Sequence, residues 1–128
     1  MKEGIGMGIH ICGNATAVAE DMVESGALYF EPDQKIDRER VRRMTDGPVT
    51  LFGTIDPSRI LCLGNIEEVE ENVKEDLRLL GRAGRYVYSP GCTLPCSTPL
   101  DNVRALVETG RQYGECGKDG QLVRISAR

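Results

Sequence analysis

Short apolar runs of strand length alternate with longer helical segments along most of this chain of 128 residues. Four strand–helix units of roughly 25 to 35 residues follow one another. Because each helix carries the chain back across the sheet, successive strands must run parallel. The strand candidates lack apolar–polar alternation, which is typical of parallel sheets covered on both faces. The predicted fold class is therefore α/β, either a small open sheet with helices on both sides or half of an eight-stranded barrel.

The strand candidates end at glycine, proline or polar residues and comprise Ile5–Cys12, Ala27–Phe30, Val49–Phe52 and Tyr86–Tyr88. Helices are expected to begin after residues that favour the N-cap position, namely Asn14, Asp37, Asn65 and Thr98. The longest helix carries one apolar stripe formed by Val69, Val73, Leu77 and Leu80. In the last helix, the predicted apolar face consists of Leu100, Val103 and Val107.

Composition excludes several classes of protein. Hydrophobic residues make up 40% of the chain and charged residues 28%, a balance typical of a globular protein. No apolar run approaches the ~18 residues that a membrane-spanning helix needs. The net charge of −4 argues against nonspecific nucleic-acid binding. With five cysteines and no secretion signal at the start, a disulfide framework is not expected, and a cytoplasmic location is predicted.

In parallel α/β folds, function gathers in the loops that follow the carboxyl ends of the strands. The side chains at these positions that can bind a metal or react are His10, Cys12, Glu31, Asp33, Asp56, Cys92 and Cys96. Metal ligation, thiol chemistry and simple burial are the three uses open to the cysteines in a reducing compartment. Cys62, which lies between two leucines, is predicted to be a core residue, and Cys116 in the polar tail to be incidental.

His10 and Cys12 lie two residues apart on one strand, so their side chains point to the same face. Their α-carbons are then about 6.5 Å apart, a separation that two ligands of one zinc ion can bridge. With Cys92 as the third ligand, the site would be of the Cys2His type, which leaves the fourth tetrahedral position open as in catalytic zinc sites. The alternative is a hydrogen-bonded core histidine beside two buried thiols, since an H-x-C pair alone is a weak signal.

The segments HICGNAT, DQKID, LFGTIDPSRIL and SPGCTLPCSTPLDNVRALVE occur in this order. Together they resemble the carboxyl-terminal half of the uroporphyrinogen decarboxylase-like superfamily, and most closely its zinc-dependent methylcobamide:thiol methyltransferase branch, which includes the methylcobamide:coenzyme M methyltransferases. The resemblance covers about residues 5 to 114. It implies a (β/α)8 TIM barrel of which this chain holds the last four units, at residues 1–114, followed by a polar tail at 115–128.

The resemblance implies that His10, Cys12 and Cys92 hold zinc. A family carboxylate that substrate can displace falls on Asp33, with Glu31 as the alternative. The family loop often reads GC-x-x-P-P, whereas Cys96 follows Pro95 here, so Cys96 is an additional thiol without an assigned role. The implied reaction moves a methyl group from a methylcobamide, carried by a separate corrinoid protein, to a small thiol such as coenzyme M.

A complete barrel usually needs about 200 residues or more. The first expectation is therefore a truncated product. The other two are a half-barrel that pairs as a homodimer and a half-barrel that is completed by an amino-terminal partner subunit. The alternative functions are a noncatalytic module that binds zinc or a corrinoid protein, and a zinc-free decarboxylase-like relative.

Overall fold

The computed structural model describes residues 4–44, 49–81, 85–115 and 117. Its sheet contains four strands, β1 (Gly8–Ile11), β2 (Tyr29–Pro32), β3 (Thr50–Phe52) and β4 (Tyr86–Val87). All three pairings are parallel, and the strands lie in the order in which they occur along the chain. The predicted α/β fold with successive parallel strands is confirmed.

The strand order separates the two architectures that the sequence allowed. Connections between parallel strands are almost always right-handed, so a sheet that grows in one direction places all its crossover helices on one face. An open sheet with helices on both faces needs a reversal of the strand order. The described sheet has none, and it therefore has the winding of half a barrel.

In the described ranges, four α-helices follow the strands: α1 (Ala19–Glu24), α2 (Arg38–Met44), α3 (Ile66–Leu80) and α4 (Leu100–Tyr113). A 3₁₀ turn, Thr16–Val18, leads into α1, and a π-helical segment, Pro57–Cys62, lies between β3 and α3. The predicted start of α3 is confirmed, because Asn65 and Glu68 form a reciprocal capping box. Asp37 caps α2 by accepting a hydrogen bond from the Arg40 amide, as predicted.

The core lies between the sheet and the helices as two apolar clusters. Phe30 and Leu51 of the strands pack with residues of α1 and α2 in one cluster. In the other, the predicted α3 residues Val69, Val73 and Leu77 pack against α4. On the opposite face of the sheet, Tyr29 and Val87 remain exposed. The helices thus bury one face of the sheet, and the other faces solvent in this chain.

The prediction for α4 was wrong in its cap and in its buried face. Pro99 occupies the N-cap position, and the Thr98 hydroxyl donates to the Pro95 carbonyl instead of capping the helix. Leu100 is 61% exposed. The buried side is formed by Asn102, Ala105, Leu106, Thr109 and Gly110. Gly110 lies against the Tyr88 ring, which a Cβ atom at this position would overlap. The Asn102 amide donates to two backbone carbonyls, those of Leu61 and Gly64.

Three further local predictions need correction. The second strand was expected to end before Pro32, but Pro32 is its last residue. Asn14 does not cap a helix; its side-chain oxygen accepts hydrogen bonds from the Thr16 amide and hydroxyl and forms a local turn. Cys62 is only half-buried, because it closes the π-helical segment beside the surface, where its sulfur lies 3.4 Å from the Ser97 hydroxyl.

Within the described ranges, no helix combines the length and the apolar character needed to cross a bilayer. Cys116 and most of the predicted tail, 115–128, lie outside the described residues.

Candidate metal centre

Three predicted ligands come from two distant parts of the chain. His10 lies on β1, and Cys12 follows the last residue of that strand. Cys92 lies in the glycine- and proline-rich loop after β4. In the part of the chain that the structure describes, these three residues form the one group of potential metal ligands, with all three donor atoms within 4.8 Å of one another.

The donor atoms form a compact triangle. His10 Nε2 lies 3.2 Å from Cys12 Sγ and 3.8 Å from Cys92 Sγ, and the two sulfur atoms are 3.6 Å apart. In tetrahedral zinc sites, bonds of 2.0–2.1 Å to nitrogen and 2.3 Å to sulfur place neighbouring ligand atoms about 3.5–3.8 Å apart. The spacing and the chemistry of the donors therefore fit zinc.

The orientation of the imidazole is set by the neighbouring strand. His10 pairs with Glu31 in the sheet register, and its Nδ1 atom lies 3.0 Å from the Glu31 backbone carbonyl. A carbonyl oxygen can only accept a hydrogen bond, so Nδ1 carries the proton. The lone pair of Nε2 is then available to a metal ion bound between the three donor atoms. The Glu31 carboxylate lies 3.3 Å from the same Nδ1 atom. Such partners are typical of histidines that bind metals.

The electrostatics of the two sulfur atoms favour a cation. The hydrogen bond with Cys92, followed by charge repulsion from it, raises the pKa of the Cys12 thiol above its usual value of 9.0. Burial and the carboxylates of Asp33 and Glu31 act in the same direction. Two thiolates at this distance repel each other unless a positive charge lies between them. A bound divalent cation reverses this effect, because it deprotonates the thiols that coordinate it.

The predicted fourth ligands lie outside the triangle. Asp33 is buried, and its two carboxylate oxygens accept hydrogen bonds from the backbone amides of Gly13 and Lys35. Glu31 contacts His10 Nδ1, on the side of the ring that faces away from the sulfur atoms. The role of either carboxylate as a displaceable ligand stays a prediction.

The other candidate residues are not brought into this group. Cys96 is exposed, and Cys62 contacts Ser97. Asp56 caps the π-helical segment by accepting hydrogen bonds from the amides of Ser58 and Arg59. Its position after a strand therefore has a structural explanation.

A buried ionic network around Asp76 of α3 was not predicted from the sequence. Asp76 is completely buried, and it accepts hydrogen bonds from Arg38, Thr54 and Tyr86. Burial raises the pKa of the Asp76 carboxyl, and the hydrogen bond from Arg38 opposes that rise. Burial also raises the pKa of the Tyr86 hydroxyl well above its usual value. A single aspartate on the apolar side of the helix, four residues before Leu80, was the available signal.

A family model described as uroporphyrinogen decarboxylase (URO-D) matches residues 1–113. The chain is 32% identical over 114 residues to the methylcobamide:CoM methyltransferase MtbA of Methanosarcina acetivorans, covering 88% of this chain and 32% of that protein. It is 30% identical over 106 residues to the methylcobamide:CoM methyltransferase MtaA of Methanosarcina barkeri, covering 82% of this chain and 30% of that protein.

Among solved structures, a methyltransferase from Methanosarcina mazei superimposes with a TM-score of 0.75 at 26% identity. The superposition covers 85% of this chain and 32% of that chain. The chain thus spans about a third of the length of the curated relatives that it matches.

Proposed function

This chain belongs to the uroporphyrinogen decarboxylase family, and from that membership we propose that it supplies the zinc site of a methyltransferase. The reaction would move a methyl group from a protein-bound methylated corrinoid to a thiol such as coenzyme M. The carbon–cobalt bond of the corrinoid would break and a carbon–sulfur bond would form. The electron pair of the broken bond would stay on the corrinoid, and the thiol proton would be released to solvent.

The observation that carries the proposal is the triangle of His10, Cys12 and Cys92. Its donor set of one imidazole and two thiols leaves a fourth tetrahedral position for the sulfur of a substrate. Two relatives matched over most of this chain are methylcobamide:CoM methyltransferases, which supports a thiol as the occupant of that position. When bound, zinc would lower the pKa of such a thiol and keep it as the reactive thiolate.

The residues of this chain would have three tasks. Cys12 and Cys92 would hold the metal and donate negative charge to it. His10 would complete the set, with its ring held by the backbone carbonyl of Glu31. Because His10 and Cys12 are exposed, the triangle remains accessible to a small thiol and to a corrinoid presented by another protein.

The second candidate is a noncatalytic module that binds zinc or a corrinoid protein. It is favoured by one observation, that the chain spans about a third of the length of its curated relatives. In this case the metal ligands are present, but the pocket walls that align the thiol with the methyl donor come from elsewhere.

An assay with methylcobalamin and coenzyme M separates the two candidates. The zinc-loaded full chain should form the methyl thioether, measured by mass spectrometry, and His10→Ala should abolish its formation. Cys62→Ala is the matched control and should remain active, since its sulfur lies outside the triangle. Stoichiometric zinc without turnover would favour the module. A chain that fails to bind zinc after supplementation would contradict both the methyltransferase and a zinc-binding module, and it would favour a zinc-free decarboxylase-like protein.

A further inference from the structure

The close approach of Cys12 and Cys92 is unexpected from the order of the strands. Cys12 follows β1 and Cys92 follows β4, which lie at opposite edges of the described sheet, yet their sulfur atoms are 3.6 Å apart. The loop after β4 must therefore cross the ends of β3 and β2 to reach β1. The contacts made along this path determine where the Cys92 sulfur lies.

The first crossing lies at the end of β3. Pro90 forms a parallel bridge with Ile55, and the Gly91 amide donates a hydrogen bond of 2.9 Å to the Ile55 carbonyl. Gly53, with a φ of +68°, makes room for this approach. A Cβ atom at position 53 would lie 2.9 Å from the Pro90 carbonyl oxygen. The loop is thus held against β3 by its backbone.

The second crossing lies at the turn that follows β2, formed by Asp33 and Gln34. Gly91 packs directly on this turn, and a Cβ atom at position 91 would lie 2.6 Å from the Gln34 backbone nitrogen. Any side chain at position 91 would have to displace backbone, because the nearest atoms belong to the main chain. Cys92 is the next residue, so a displacement here moves its sulfur.

The same turn also holds the other cysteine. The buried carboxylate of Asp33 accepts a hydrogen bond of 2.9 Å from the amide of Gly13, the residue after Cys12. Its second oxygen accepts a hydrogen bond of 3.0 Å from the Lys35 amide, which holds the turn itself. One turn therefore contacts the backbone next to both sulfur ligands.

We propose that the Asp33–Gln34 turn is a positioning element that sets the spacing of the Cys12 and Cys92 sulfur atoms. It acts through Gly13 on one side and through Gly91 on the other, and the Asp33 carboxylate supports the site through its hydrogen bonds with the Gly13 and Lys35 amides. The inference rests on the proposed metal site for its function. Groups that orient metal ligands in this way contribute strongly to affinity, because the ligands need not be reorganised on binding.

Two variants test the turn from its two sides. In Asp33→Asn, one oxygen is replaced by an amide group that cannot accept from a backbone N–H. In Gly91→Ala, the new methyl group collides with the Gln34 backbone. The matched controls are Asp37→Asn, which alters the cap of α2, and Gly64→Ala, whose Cβ atom would lie 2.5 Å from the Ile60 carbonyl oxygen.

The first measurement is the zinc affinity of the full chain, determined by competition with a chromophoric chelator, with and without excess coenzyme M. Both turn variants should bind zinc about 10- to 100-fold more weakly under both conditions. The two controls should stay within about threefold of the unchanged chain at temperatures where all variants are folded. Unchanged affinity in both turn variants would overturn the inference. A loss in Asp33→Asn that coenzyme M abolishes would also overturn it, because that is the behaviour of a displaceable ligand.

A second measurement does not depend on metal and separates this inference from the proposed function. Diamide oxidises two thiols to a disulfide and takes up their two electrons and two protons. In the metal-free chain, the Cys12–Cys92 disulfide should form at least about tenfold more slowly in Gly91→Ala than in Gly64→Ala, as measured by the crosslinked peptides after digestion. The reason is that disulfide formation requires the two sulfur atoms to be close and aligned. Equal rates would contradict the positioning role even if zinc binds, and a slower rate would support it even if zinc does not.

Discussion

Two groups of titratable residues in this protein are assembled from distant segments, and they differ in how their charges are balanced. The Asp76 network is buried and contains its own cation, Arg38, with hydroxyl donors from Thr54 and Tyr86. The triangle of His10, Cys12 and Cys92 is more exposed and contains three electron-pair donors. Removing one partner from a balanced buried group destabilises a fold, whereas a cluster of three electron-pair donors is suited to binding a cation.

The largest expected effect concerns the triangle. Replacing either His10 or Cys92 by alanine should weaken zinc binding by about a thousandfold, because one of only three protein ligands is lost. Competition with a chelator measures this change. Cys62→Ala should leave zinc affinity unchanged, because its sulfur contacts Ser97. Loss of zinc from the Cys62 variant would show that the ligands are assigned wrongly.

Substitution in the Asp76 network should lower the stability of the fold, independently of metal. Asp76→Asn removes the charge that balances Arg38 and should lower the free energy of unfolding by about 3 kcal/mol, near the lower end for buried pairs because the Arg38 side chain is 29% exposed. Urea denaturation of the metal-free chain measures the change. Glu75→Gln removes the exposed partner of the same arginine and should cost less than about 1 kcal/mol. If the two variants cost the same free energy of unfolding, the buried Asp76 carboxylate would have no greater structural role than the exposed Glu75 carboxylate, which would contradict this account.

The smallest effect is a pH dependence at the surface. Arg40 lowers the pKa of the Glu20 carboxyl below its usual value of 4.5, chiefly through a hydrogen bond. The ionised pair therefore stabilises the fold above that value, and the contribution is lost as the pH falls through the lowered pKa. Glu20→Gln should be slightly less stable at pH 7, and the difference should vanish in acid. Urea denaturation of both chains from pH 7 to pH 3 tests this, and a difference that grows in acid would reverse the sign.

The elements that the sequence predicted best are those whose signals are local. The capping box of Asn65 and Glu68 and the stripe from Val69 to Leu80 lie within one helix, so the start and the buried face of α3 were predicted correctly. The buried face of α4 was not, because it depends on Asn102 reaching carbonyls of the π-helical region 38 and 41 residues earlier. That contact exists only in the tertiary structure.

In the candidate site too, some features were predicted from the sequence, whereas those that depend on tertiary contacts were not. The shared face of His10 and Cys12 follows from strand periodicity, and the structure brings Cys92 to them as the resemblance implied. The route of the loop across β3 and β2 could not be predicted, because it depends on close backbone contacts at Gly53 and Gly91. The hydrogen bonds of Asp33 with the Gly13 and Lys35 amides were hidden for the same reason.

X-ray absorption at the zinc edge of the purified, zinc-loaded chain tests the central claim most directly. The account predicts one zinc ion per chain, bound by two sulfur atoms at about 2.3 Å and by at least one imidazole nitrogen at about 2.0–2.1 Å. After coenzyme M is added, the number of bound sulfur atoms should rise by one. A spectrum without sulfur ligands, or a chain that retains no zinc, would contradict it.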